Sequence, residues 1–92
     1  MDIYNQIAIR IIKEQELVIG PLAWIEASKV HGLKIHEQGV LSIEQEDKSA
    51  VIDGLVAKYQ RLFGKASHEV CKHAVAGLLS GLTADQIPSS LR

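Results

Sequence analysis

The segment His68-Glu69-Val70-Cys71-Lys72-His73 holds the densest set of chemically capable side chains in the sequence. On an α-helix His68 and Cys71 stand three residues apart, and Glu69 and His73 four apart, so two ligand-like pairs fall on neighbouring faces. Imidazole with thiolate suits a transition metal or haem, and a lone histidine suits phosphoryl transfer. Two features oppose that chemistry. Lys72 occupies the place of the second histidine in the zincin pattern H-E-x-x-H. Cys71 also belongs to the apolar stripe of its helix, where a free cysteine behaves as a small hydrophobe. His31 and His36 join such a site only if the fold carries them to it. The sequence is therefore read with no metal and no cofactor, and a metal- or ligand-binding domain built on His68, Cys71 and His73 is kept as an alternative.

Other catalytic patterns are missing. There is no G-x-S-x-G elbow, and Ser28, Ser42, Ser49, Ser67 and Ser80 have no marked base nearby. No phosphate-cradling glycine loop occurs. The acidic run Glu44-Gln45-Glu46-Asp47 lacks the layout of a calcium loop, and acids before a helix start are explained by capping and the helix dipole. A non-enzyme is expected.

The residues from Leu55 to Leu79 place two helices around Phe63-Gly64, which raises a helix-turn-helix-like DNA-binding regulator using 55–79 as a second alternative. Against it, Gln60 stands where such a motif wants a small residue. The second helix offers only Lys65 and Lys72 as cations, with Glu69 between them. Lys58, Arg61 and Lys65 form a basic stripe on one helical face, which reads as a solvated surface or as the complement of an acidic partner. Nucleic acid is not the expected ligand.

Ala74 to Leu82 is small or apolar on every side, and Gly77 and Gly81 form G-x-x-x-G. Glycine costs a helix about 1 kcal/mol against alanine, so two of them four apart suggest the close approach of another backbone. That backbone belongs either to this chain or to a second one. Leu22-Ala23-Trp24-Ile25 also wraps beyond a single face. Trp24, Ala74, Gly77, Leu78 and Gly81 are accordingly the expected interface residues of a homodimer or of a contact with another protein.

The elements that carry these residues are mainly helical. Asp2 caps a first helix through Ile19, with Ile3, Ile7 and Ile11 on its apolar side. Gly20-Pro21 breaks or kinks the pattern, and Pro21 opens a second helix through Val30. Residues 33–43 read as a short β-hairpin, Leu33-Lys34-Ile35 and Val40-Leu41-Ser42-Ile43 flanking a turn at His36-Glu37-Gln38-Gly39. Asp47 caps a third helix ending at Phe63 before Gly64. A fourth runs from Ala66 to Ser80. Thr83-Ala84-Asp85-Gln86 is a capping box for one helical turn before Pro88, and Ser89 to Arg92 reads as a frayed tail.

With 92 residues, this is a single small four-helix domain, 1–92. One cysteine excludes an intrachain disulfide framework. The net charge of −1 hides a split, −4 over residues 1–47 and +3 over residues 48–92. No basic-then-apolar leader and no bilayer-length apolar run is present, so a cytoplasmic location without membrane contact is expected. The expected function is a small protein–protein interaction or regulatory module, self-associating and without catalytic activity.

Overall fold

The computed structural model describes residues 2–37 and 39–92. Its elements are α1 (Ile3–Ile19), α2 (Leu22–Ala27), β1 (Leu33–Glu37), β2 (Val40–Ile43), α3 (Lys48–Phe63), α4 (Lys65–Leu79) and a closing 3-10 turn, Ser89–Leu91. The domain is mainly α, with four helices and one short antiparallel hairpin, as the periodicities predict.

Two aspartates start two of the helices. A carboxylate oxygen of Asp2 accepts the amide of Tyr4 at 2.7 Å, and Asp47 accepts that of Ala50 at 3.0 Å, satisfying amides with no partner inside the helix. Asp2 also takes the ammonium of Lys48, joining the starts of α1 and α3. Gly20 has φ 72° and ends α1, and the chain turns at once into α2. Gly64, at φ 90°, is the whole connection between α3 and α4.

α1 lies across α4, α2 and α3, burying Ile7, Ala8, Ile11 and Ile12. α3 supplies Val51, Ile52, Leu55, Val56 and Tyr59, spaced for one helical face. The Tyr59 hydroxyl donates to the main-chain oxygen of Ala23 at 2.7 Å and pins α2 to α3. The hairpin seals one side of the core with Leu33 and Leu41, its register slipping between Ile35 and Glu37. Gln38, in the expected hairpin turn, lies outside the described residues.

Three expectations need correction. α2 ends at Ala27, not Val30. Ser28 turns its hydroxyl back onto the Ile25 carbonyl at 2.6 Å, and the next amides, Lys29 and Val30, bond three residues back instead of four. The Thr83 box forms a hydrogen-bonded turn, not a helical one: Gln86 Oε1 accepts the Thr83 amide at 2.9 Å, but the Thr83 hydroxyl is spent on Asp85 at 2.6 Å. The tail is not frayed. Pro88 and Leu91 are buried, and residues 89–91 form the closing turn against α3.

Candidate interaction surfaces

The histidine–cysteine cluster comes apart in three dimensions. Cys71 is fully buried, with its sulfur 3.4 Å from the donating amide of Gln15. Burial pushes its thiol up, and the Gln15 amide offsets only some of that. His68 turns to the main-chain oxygen of Ser90, while His73 is exposed. His31 and His36 are held elsewhere, beside Gln45 at 3.4 Å and Ser42 at 3.1 Å. Among the described residues no three His, Cys, Asp or Glu side chains are grouped to hold a metal ion.

Asp53, His68 and Ser90 do converge, and local sequence gives no hint of it. The arrangement differs from a serine–histidine pair. The Ser90 hydroxyl donates to the Asp53 carboxylate, and His68 meets the Ser90 carbonyl, so the imidazole does not face the hydroxyl. Burial pushes the Asp53 carboxyl up, but bonds from the Ser90 hydroxyl and amide and the Ser89 hydroxyl more than offset it, leaving it below the usual carboxylate range.

The expected interface residues divide. Trp24 is buried in the chain's own core, and Ala74 and Leu78 are half-buried against it, so the apolar surplus expected there is largely used within the domain. Gly77 and Gly81 are exposed, and a Cβ on either would meet nothing within 4 Å. Among the described residues no backbone comes within 4 Å of a Cβ at either, and Gly81 lies beyond the end of α4.

Exposed apolar side chains gather at a different place. Leu17 is 81% exposed, Val18 64%, Ile25 53%, Leu62 45% and Leu22 40%. All five lie at one end of the domain. The Gln15 amide donates to the Ser67 carbonyl at 2.9 Å, setting the last turns of α1 beside the start of α4. Gly64 joins that start to the end of α3, while Gly20-Pro21 and the Tyr59–Ala23 bond bring in α2. Within residues 17–25 the chain divides: Ile19, Ala23 and Trp24 turn to the core, and Leu17, Val18, Leu22 and Ile25 are left exposed.

A groove of about 560 Å³ runs along α3. Ala50, Gly54 and Ala57 floor it, and Lys29, Val30 and His31 wall one side. Asp47 stands at one end, Lys58 and Arg61 at the other. The predicted basic stripe is thus split: Lys58 and Arg61 share the groove with Lys29, while Lys65, at the start of α4, does not line it. Lys29 is paired with Glu26 at 3.0 Å, whereas Lys58 and Arg61 have no ion pair among the described residues. No described helix is long and apolar enough to cross a membrane.

Compared with known proteins, the chain matches no family profile, no curated sequence and no solved structure.

Proposed function

We propose that this chain is a small, non-catalytic interaction module of the cytoplasm that works as a homodimer, two copies meeting through the apolar end formed by Leu17, Val18, Leu22, Ile25 and Leu62. The observation that carries the reading is that these five exposed apolar side chains sit on helix ends that meet on one side of the domain. Exposed apolar residues scattered singly are ordinary, but several on neighbouring elements mark a binding surface. The core is already closed by other residues, so covering this end adds apolar burial at about 25 cal/mol per Å². An isologous contact is the simplest cover, since each copy brings the same patch.

Sedimentation velocity over a concentration series tests it. The wild-type chain is expected to associate, and Leu17→Lys with Ile25→Lys, both at exposed positions, to reduce that association at unchanged helicity. A strict monomer at high concentration overturns the reading.

A duplex-binding reading through residues 55–79 draws on one observation, that Lys58 and Arg61 have no ion pair among the described residues. Salt-sensitive binding lost on charge reversal of Lys58, Arg61 and Lys65 would establish it, and no binding at low salt would end it.

A further inference from the structure

The α3 groove carries both signs of charge in an order that fits one occupant. Asp47, Ala50, Gly54, Ala57 and Arg61 follow one another at spacings of three, four, three and four, so they form a single line along the helix, as at a coiled-coil seam. Gly54 stands midway, seven residues from the acid and seven from the base. We propose that the groove seats α3 of a second copy, running antiparallel about a two-fold axis at Gly54. In that pose Asp47 of each copy meets Arg61 of the other, and both pairs form at once because the axis repeats them. The small floor residues let the two helices close to about 8 Å, the short end of helix–helix spacing.

The glycine itself argues for this. It sits inside α3, where glycine costs about 1 kcal/mol relative to alanine. A Cβ there would make only an ordinary contact, 3.5 Å to Val30 Cγ1, so the chain's own packing does not demand its absence. A second backbone crossing at this point would. Arg61 has no ion pair within the described residues, and Asp47 uses one carboxylate oxygen on the Ala50 amide, leaving the other to accept. A purely acidic ligand would meet Asp47 at one end of the groove, whereas a reversed copy of α3 matches both ends.

This surface is independent of the apolar end; either face alone gives a dimer, and a chain that uses both assembles further. A cysteine placed on the axis faces its own copy. Cys71 is buried, so Gly54→Cys provides the accessible thiol. Mild oxidation is expected to link Gly54→Cys chains about tenfold faster than Gly77→Cys chains, whose residue is also exposed but off the axis. In sedimentation, Gly54→Leu with Arg61→Glu removes this contact and leaves helicity intact. Linking at position 54 no faster than at 77, or unchanged association of the Gly54→Leu, Arg61→Glu chain, overturns the proposal. The two surfaces fail separately. Association lost only with Leu17→Lys and Ile25→Lys leaves the apolar end alone standing, association lost only with the α3 variants leaves the groove, and a monomeric wild type removes both.

Discussion

Asp53, in the middle of α3, holds Ser90 by both its main-chain amide, at 2.9 Å, and its hydroxyl, across 37 positions of sequence. The Ser89 hydroxyl adds a third bond at 2.9 Å, and Leu91 is buried beside this clamp. The end of the chain is therefore a structural element of the domain.

Asp53→Ala is expected to lower stability by about 2 kcal/mol, since it removes charge-assisted hydrogen bonds and loosens a buried leucine. Acid should narrow the difference. The folded carboxyl titrates below its ordinary value near 3.9, so its contribution is complete above that pH and disappears as pH falls through the lower folded value. Urea unfolding of wild type and variant at neutral pH and near pH 2 checks this. A gap of the same size at both pH values would contradict it.

Tyr59→Phe keeps the buried ring and removes only its bond to the Ala23 carbonyl, for a loss of about 1 kcal/mol in the same unfolding measurement. Burial above all, then the neighbouring Cys71 and Glu26, raises the Tyr59 phenol well beyond its ordinary range. Folding favours the protonated form, so its contribution is full below about pH 10 and is lost as pH rises toward the folded value. Alkaline difference absorbance should show this phenol ionising only as the chain unfolds.

Cys71 should be silent toward thiol reagents in the folded chain. It is fully buried, and its thiol is held in the protonated, unreactive form. Reaction at the rate of an exposed cysteine in the absence of denaturant would show that α4 opens readily.

Glycines at two positions should respond in opposite directions. Gly77→Ala, in open space on α4, gains up to about 1 kcal/mol of helix stability. Gly32 has φ 85°, and a Cβ there would lie 2.5 Å from Gln45 Cγ and 2.9 Å from Val51 Cγ2. Gly32→Ala is expected to cost more than about 1 kcal/mol in the left-handed backbone alone, with the clash added. Thermal unfolding midpoints moving in the same direction would refute the contrast.

The local features are legible from sequence because their causes are local. The aspartates before α1 and α3, the glycine between α3 and α4, and the period of Val51 to Tyr59 act within a few residues. α2 reads too long because its composition stays helical through Val30, while a single hydroxyl at Ser28 ends the regular bonding. The ordered C-terminal segment is hidden from a local reading because what holds it, Asp53, is remote in sequence. The apolar surplus is legible as a quantity but not as a place. Trp24, Ala74 and Leu78 are consumed by the core, and Leu17 and Val18 are left exposed. Lys58 and Arg61 are legible as a stripe, whereas their grouping with Lys29 depends on how the segment after α2 folds back.

The sole tryptophan of the chain lies in the short second helix, buried to 6% exposure, and its indole N–H has no hydrogen-bond partner among the described residues. An indole in so dry a setting emits toward the blue and reddens on meeting water. Trp24 thereby serves as an optical gauge of α2 docking that needs no label. It distinguishes changes that undock this helix, next to the apolar end, from changes that only pull two copies away from each other.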